Sequence, residues 1–275
     1  MKKINSEIKW GCGMLLCYGT WAFAWFITSF FIKGKINAPY YPESDITKEL
    51  LAPLQENFIL GTDLYGRSLW EILSVGLHYS LSVALMVSLI SAFLGLVIGH
   101  LCVTGPRFTR IICDTFTNLI FIFPSILVAI MVMAMLGQSF WGLVFSLIIT
   151  GWPGYARIAR GEIKRVLNLT YVESARAVGI SETRLFFTVI IPSIFPVFLV
   201  HVVLGMGGVI VSEAALGFLG LGGSPYSWGA MLASSKMVLL EAPHFVIILS
   251  LSMAGLIIGL NLTGDGLRDY LDTTS

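Results

Sequence analysis

The sequence predicts an all-α membrane protein that crosses the bilayer six times. Of its 275 residues 56% are hydrophobic and only 12% are charged, and the mean hydropathy is +0.84, which excludes an ordinary soluble domain. The apolar residues form long runs of about 20, the length that a helix needs to cross the hydrocarbon core. A net charge of +1, with basic residues spread over several loops, gives no sign of a nucleic-acid partner.

The first span is predicted at residues 10 to 32, after a basic N-terminal segment. This apolar run is longer than that of a cleavable signal, and Lys33, Gly34 and Lys35 follow it, so we interpret it as an uncleaved helix. Residues 33 to 76 are the longest polar segment and predict an external loop. The expected organisation is an N-terminal unit, residues 1 to 76, followed by a five-helix core, residues 77 to 275.

Five more apolar runs predict the remaining spans, at residues 77 to 103, 115 to 136, 140 to 155, 191 to 216 and 245 to 262. Pro124 lies inside the third span and predicts a kink there. Gly151, Pro153 and Gly154 predict that the short fourth span ends or bends near the membrane surface. Pro192 opens the fifth span, where a first-turn proline loses no helical hydrogen bond.

A polar insert between the fourth and fifth spans predicts two short helices separated by a break, and we call residues 170 to 192 the elbow. Thr170 and Glu173 have the spacing of a capping box. Gly179 suits a left-handed stop for the first helix, and Ser181 is typical of the cap of a second. The pattern therefore favours a compact bend between two membrane helices.

Six spans place both termini on one side of the membrane, and the distribution of Lys and Arg indicates which side. With the termini inside, twelve of the 17 basic residues lie in inner segments: Lys2, Lys3, Lys9, Arg107, Arg110, Arg157, Arg160, Lys164, Arg165, Arg176, Arg184 and Arg268. Five lie outside: Lys33, Lys35, Lys48, Arg67 and Lys236. Both termini and the inner loop of residues 157 to 190, which contains most of the elbow, are therefore expected in the cytoplasm.

The elbow resembles the EAA loop of the inner-membrane subunits of ATP-binding cassette (ABC) importers, whose pattern is E-A-A, three residues, G, nine residues, I-x-L-P. The matching positions are Glu173, Ser174, Ala175, Gly179, Val189, Ile191 and Pro192, with Ser174 replacing Ala, Val189 replacing Ile and Ile191 replacing Leu. The resemblance implies that the elbow docks into a groove of a cytoplasmic ATPase. The implied coupling residues are Thr170, Tyr171, Glu173, Ser174, Ala175, Arg176, Gly179 and Pro192. The alternative is an ordinary interfacial loop in which Glu173 only caps a helix.

Three further blocks resemble the C-type permease of the dipeptide, oligopeptide and nickel subfamily. They are the segment L-G-T-D-L-Y-G-R-S at residues 60 to 68, the segment S-E-A-A-L-G-F-L-G-L-G at residues 212 to 222, and the ending N-L-T-G-D-G-L-R-D-Y-L-D at residues 261 to 272. Ser68 replaces the family's Asp, and Gly217 replaces its Ser. In the first block we expect Thr62 or Asp63 to cap a short helix while the glycines turn the chain.

The resemblance implies a type I ABC importer permease fold in the bacterial inner membrane, surrounded by lipid. The implied partners are a second, homologous permease, two ATPase subunits that bind ATP-Mg, and an extracytoplasmic substrate-binding protein. This chain should bind no ATP itself, because its only Gly-Lys pair, Gly34-Lys35, precedes Ile36 and forms no phosphate loop. We expect no catalytic residue, cofactor or metal, and the four cysteines match no zinc or redox spacing. The cargo stays open among dipeptides, longer or antimicrobial peptides, glutathione and chelated nickel.

Ionisable residues inside the spans are costly, by roughly 2.5 to 3.5 kcal/mol at a helix centre, so each needs a reason. Glu213, near the outer mouth, is predicted with Gly217 to line the translocation pathway or a gate. An ion pair of Glu213 with Arg67 or Lys236 is an equal alternative. His201 is a further pathway or gate candidate, with hydrogen-bonded packing as its alternative. A carrier driven by an ion gradient is the rival function, although it would want more buried polar groups than these.

Overall fold

A computed structural model describes residues 6 to 33 and 44 to 271. The expectations for Lys2, Lys3, Lys35 and Asp272 lie outside these residues. The two described segments are helical, with isolated β-bridges but no strand, so the all-α prediction is confirmed.

Ten α-helices make up the described fold. Their bounds are α1 Ser6–Lys33, α2 Leu69–Thr104, α3 Arg107–Ile122, α4 Ser125–Leu136, α5 Phe140–Leu167, α6 Thr170–Ala177, α7 Glu182–Leu185, α8 Ile191–Phe218, α9 Trp228–Ser235 and α10 Pro243–Leu271. A π-helical turn, Phe186–Ile190, joins α7 to α8.

Four helical segments of the described chain are long and apolar enough to cross a membrane: Ser6–Phe31, Leu69–Thr104, Glu182–Phe218 and Pro243–Leu271. The pair α3 and α4 adds a fifth if the two count as one bent span. The predicted fourth span is the apolar first half of α5, whose second half is basic. The multi-pass architecture is therefore confirmed, whereas the count of six is not confirmed in full.

The two prolines inside predicted spans behave differently. At Pro124 the helix breaks, and α3 and α4 lie at 93° to each other, because Phe123 before it is extended, the conformation that a following proline favours. At Pro153 helix α5 continues without a break to Leu167. Gly151, Pro153 and Gly154 therefore do not end this helix, and the alternative expectation of a bend there stays a prediction.

Helix α2 is the centre of the fold. It packs against α5 and α8, while α1 packs against α10. Gly95 and Gly99 let α5 approach closely, since a Cβ atom at either position would overlap Tyr155, Ala156 or Ala159. The boundary expected between residues 76 and 77 falls inside α2, because that helix begins at Leu69.

The described part of the loop between α1 and α2 is held together by polar contacts within the loop. The Thr62 hydroxyl accepts from the Leu51 amide at 2.8 Å. The Asp63 carboxylate accepts from the backbone amides of Tyr65 and Arg67 and from the Arg67 guanidinium. Neither side chain caps a helix, because the residue that precedes α2 is Ser68, so the expected cap was wrong. The expected turns at the glycines are confirmed, since Gly61 and Gly66 have φ values of +83° and +69°.

Candidate functional site

The elbow consists of α6 and α7, separated by a sharp turn at Gly179. Gly179 has a φ of +88°, in the left-handed region where side chains with a Cβ atom are strained. The Gly179 amide donates to the Arg176 carbonyl at 2.9 Å, and the Ile180 amide donates to the Ala175 carbonyl at 3.2 Å. This pair of bonds is a Schellman motif, so the left-handed stop predicted at Gly179 is confirmed.

The capping box predicted at the start of the elbow was wrong. Helix α6 starts at Thr170, and the cap position is Leu169, which has no capping side chain. Glu173 is exposed, and its backbone amide donates to the Leu169 carbonyl, but its carboxylate makes no hydrogen bond or ion pair within the described chain. Ser181 occupies the cap position of α7 but forms no capping side-chain bond. The carboxylate of Glu173 is therefore free to meet another molecule.

One face of the elbow is anchored in the protein core. Val172 on α6 and Leu185 on α7 are fully buried, with 0% of each residue exposed. They belong to one apolar cluster with Ile163 and Val166 of α5, and Ala175 packs against the same cluster while half-buried. The elbow therefore rests directly on α5.

The other face of the elbow is exposed and stiffened by an ion pair. Arg176 Nε lies 2.9 Å from Glu182 Oε1, and Arg176 Nη2 lies 3.1 Å from Glu182 Oε2. Val178, at the tip of the turn, is 84% exposed. Thr170, Tyr171 and Ser174 are also exposed.

The elbow continues without interruption into a membrane helix. Residues Glu182–Phe218 form one helical segment, and the π-helical turn Phe186–Ile190 lies inside it. Pro192 lies in the first turn of α8, as predicted, although the helical segment itself begins earlier, at Glu182. Beside Pro192, the Ser193 hydroxyl donates to the Val189 carbonyl and accepts from the Tyr171 hydroxyl at 3.1 Å. This contact ties α6 to α8.

The carboxyl group of Glu213 is enclosed inside the chain, with 0% of the residue exposed. Its Oε2 accepts a hydrogen bond from Ser80 of α2 at 2.9 Å, and its Oε1 has no hydrogen-bond partner within the described ranges. The alternative prediction, an ion pair of Glu213 with Arg67 or Lys236, was wrong. Arg67 pairs with Asp63, and the Lys236 ammonium lies 5.0 Å from the ring centre of Phe218.

Gly217 lies where α8 approaches α9 closely. A Cβ atom at Gly217 would lie 2.9 Å from the Ala230 nitrogen and 3.0 Å from the Ser227 hydroxyl. The residue also lines a small cavity of about 210 Å³ beside the loop that follows α8. The structure thus gives Gly217 a packing role, and its pathway role stays a prediction.

His201 lies between two cavities. One, of about 330 Å³, is bounded by α2, α5, α8 and the start of α4, and we call it the hydroxyl cleft. The other, of about 740 Å³, lies beside the elbow and includes Tyr171, Ser193 and Arg268, and we call it the inner cavity. His201 lines both, so the two cavities form an interrupted path from the elbow into the helix bundle. No group of His, Cys, Asp and Glu side chains in the two described segments is arranged to hold a metal ion.

Long apolar helices, an anchored but exposed elbow and cavities along one helix together define a multi-pass membrane transport subunit. Comparison with known proteins gives the family: residues 91–274 match the model of the binding-protein-dependent transport system inner membrane component. The chain belongs to this family and is the permease subunit of an ABC importer in the inner membrane. The predicted family membership and class of function are confirmed.

Relatives and a solved structure agree with this assignment. The chain is 34% identical over 243 residues to the di/tripeptide transport system permease protein DppC of Pseudomonas aeruginosa, covering 86% of this chain and 80% of that protein. It is 36% identical over 219 residues to the glutathione transport system permease protein GsiD of Pectobacterium atrosepticum, covering 78% and 71%. A chain of the methionine ABC transporter MetNI in an inward-facing conformation matches with a TM-score of 0.62 at 15% identity, covering 72% of this chain and 95% of that one. The type I importer fold is thereby confirmed, and the ion-gradient alternative receives no support.

Sequence reasoning missed three contributors to these sites. Glu182 pairs with Arg176 across a turn, six residues away, which is not a helical spacing. Ser80 lies 133 residues from its partner Glu213, so no local pattern could connect them. Tyr155 lines the hydroxyl cleft, whereas the sequence identified it only as the end of a predicted span.

Proposed function

We propose that this chain forms half of the translocation pathway of an ATP-driven importer of short peptides, and that the elbow couples it to the ATPases. The observation that carries the coupling role is the two-sided construction of the elbow. Val172 and Leu185 fix one face to α5, while the opposite face presents Tyr171, Glu173, Arg176 and the exposed tip. A contact that transmits force needs both an anchor and a free surface.

The continuity of the elbow with α8 supports the same role. Because α7, the π-helical turn and α8 form one helical segment, a displacement of the elbow reaches His201 and Glu213 without crossing a loop. The Tyr171–Ser193 hydrogen bond adds a second link between α6 and this segment. In the proposed cycle, closure of the ATPases on ATP-Mg moves the elbow and opens the outer mouth, and hydrolysis restores the inward-facing state.

The proposal requires four kinds of partner. These are a second, homologous permease that completes the pathway, two ATPase subunits that bind ATP-Mg, an extracytoplasmic binding protein that delivers cargo, and membrane lipid. The elbow, the inner loop and both termini then lie in the cytoplasm, as the twelve basic residues on that side favour.

Short peptides are the cargo that the relatives favour. One relative is named for di- and tripeptides and another for glutathione, and glutathione is itself a tripeptide. The chemistry shared by these cargoes is a short chain of amide groups with charged ends.

The test is uptake by the reconstituted complex. The permease pair, its ATPases and its binding protein are placed in proteoliposomes, and accumulation of labelled trialanine and glutathione is measured. We expect accumulation of at least one peptide that requires ATP and persists when an ionophore removes ion gradients. Uptake without the ATPases, or uptake abolished by the ionophore while ATP is constant, would contradict the proposal.

A further inference from the structure

The hydroxyl cleft has a lining without charge. It is bounded by α2, α5, α8 and the start of α4, and none of its lining side chains is Asp, Glu, Lys or Arg. Polar groups nevertheless occur there, including the hydroxyls of Ser91, Thr150 and Tyr155 and the imidazole of His201. The cleft is thus suited to neutral polar groups.

Two of these hydroxyls are buried without a partner. Ser91 is 1% exposed and Tyr155 is 8% exposed. Neither hydroxyl oxygen has a partner at hydrogen-bonding geometry in the described part of the chain, although the Ser88 hydroxyl is a neighbour of that of Tyr155. Both hydroxyls lie at contacts between helices. A Cβ atom at Gly151 would meet the Ser91 hydroxyl, and a Cβ atom at Gly205 would overlap the Tyr155 hydroxyl. Buried polar groups are normally satisfied, so these two hydroxyls are available to a ligand that enters the cleft or separates the helices.

His201 adds an acceptor to the same cleft. Its Nδ1 lies 2.8 Å from the Val197 carbonyl oxygen, and a carbonyl only accepts, so Nδ1 carries the hydrogen. In the neutral ring Nε2 is then an acceptor. Besides hydroxyls that already have partners, the cleft therefore offers the hydroxyls of Ser91 and Tyr155, which both donate and accept, and one nitrogen that accepts.

We propose that the hydroxyl cleft is a transient binding site for the uncharged backbone of a peptide cargo, with Ser91, Tyr155 and His201 as its hydrogen-bonding residues. Amide groups both donate and accept, so they match this set. A lipid chain would leave the hydroxyls unsatisfied, and a metal ion would find no carboxylate. The absence of charge also explains how one site can pass peptides with different side chains. This inference rests on the proposed function, since it assumes that peptides pass through the chain.

Glycines in the lining allow the cleft to be filled without disturbing the fold. A Cβ atom at Gly154 or Gly208 would meet no atom within 4 Å, and both glycines line the cleft. Gly19 on α1 is equally unobstructed but lies outside the cleft, so Gly19→Leu is the matched control.

In the reconstituted complex we expect Gly208→Leu to lower trialanine uptake about tenfold, the scale of steric exclusion from a fitted pocket, and Gly19→Leu to leave it unchanged. Full uptake by Gly208→Leu would overturn the proposal.

Cysteine protection tests occupancy of the cleft directly. Gly208→Cys, in a background whose four native cysteines are replaced by alanine, is treated with N-ethylmaleimide. We expect trialanine, supplied with the binding protein and ATP, to slow the labelling. In this background Ser91→Ala with Tyr155→Phe, which removes both hydroxyls but keeps the shape, should weaken the protection about fivefold. If trialanine does not change the rate of labelling by N-ethylmaleimide, the proposal that the cleft binds peptide is overturned.

The two proposals fail in distinguishable ways. If the proposed function is wrong, the unaltered complex takes up neither trialanine nor glutathione. If only the cleft is wrong, the unaltered complex and Gly208→Leu take up trialanine equally well.

Discussion

Arg176 and Glu182 form a two-point ion pair that bridges the two helices of the elbow, with nitrogen to oxygen distances of 2.9 and 3.1 Å. Gly179 lies between them in the chain and supplies the reversal that brings them together. The pair is exposed, so its electrostatic energy is small. In the proposed function the ion pair matters for its geometry, because it fixes the angle at which the elbow meets the ATPase.

Breaking the ion pair should loosen the elbow without unfolding the protein. For Glu182→Gln we expect a stability loss of at most about 1 kcal/mol, the usual range for an exposed pair, and a several-fold fall in transport per ATP hydrolysed. The measurement is the ratio of labelled trialanine uptake to phosphate release in proteoliposomes.

The charge-reversed double variant Arg176→Glu with Glu182→Arg controls this test. It restores the pair in the opposite sense, so it should recover part of the coupling if the geometry of the elbow is what matters. The single variants Arg176→Glu and Glu182→Arg are measured beside it. If the double variant transports no more peptide per ATP than the worse of these two, the charges act on the partner subunit and not on each other.

A substitution at Gly179 should uncouple transport from ATP hydrolysis. A side chain in the left-handed conformation costs about 1–2 kcal/mol, and a β-branched one more, so Gly179→Val should change the turn and strongly reduce uptake. Gly179→Asn is the matched variant, because asparagine tolerates this conformation best after glycine. Equal uptake by the Val and Asn variants, at equal protein levels in the membrane, would show that the turn is not required.

Reversal of the charge at Glu173 should weaken the contact with the ATPase. The carboxylate is exposed and has no partner in the described chain, so Glu173→Lys should leave membrane insertion and thermal stability unchanged. We expect the co-purified ATPase to be lost at lower salt than in the unaltered complex, and Glu173→Gln to give an intermediate result. An unchanged salt dependence in both variants would remove Glu173 from the contact.

The hydrogen bond from Ser80 to the buried carboxylate of Glu213 should stabilise the protein. Ser80→Ala removes the donor to Glu213 Oε2 and leaves a buried acceptor unsatisfied, which costs about 1–3 kcal/mol. We expect a lower melting temperature for the detergent-solubilised complex. In Glu213→Leu, where no acceptor remains, the added Ser80→Ala change should cost much less than it does alone. Additive effects of the two changes would show that the hydrogen bond contributes nothing.

The sequence predicted the helical class and the turn at Gly179, because long apolar runs and glycine have strong local effects. It did not predict which proline breaks a helix. Pro124 and Pro153 both interrupt apolar runs, yet only Pro124 follows an extended residue and ends a helix. That difference depends on how neighbouring helices pack, so it cannot be predicted from the sequence of one segment alone.

The partners of buried and exposed charges were the least predictable features. Arg67 was a candidate partner of Glu213, but Asp63, four residues away, holds it through backbone and side-chain bonds. Glu213 instead meets a serine on α2. Such pairings depend on tertiary contacts between distant segments, and a pattern in one segment does not encode them.

Photo-crosslinking at the tip of the elbow tests the central claim most directly. A benzophenone amino acid replaces Val178, which is 84% exposed, and in a second variant it replaces Leu240, which is 96% exposed in the segment between α9 and α10. After irradiation of the assembled complex, we predict a covalent adduct between the permease and an ATPase subunit from position 178 and none from position 240. An ATPase adduct from position 240 only, or from neither position, would contradict the claim that the elbow is the site of coupling.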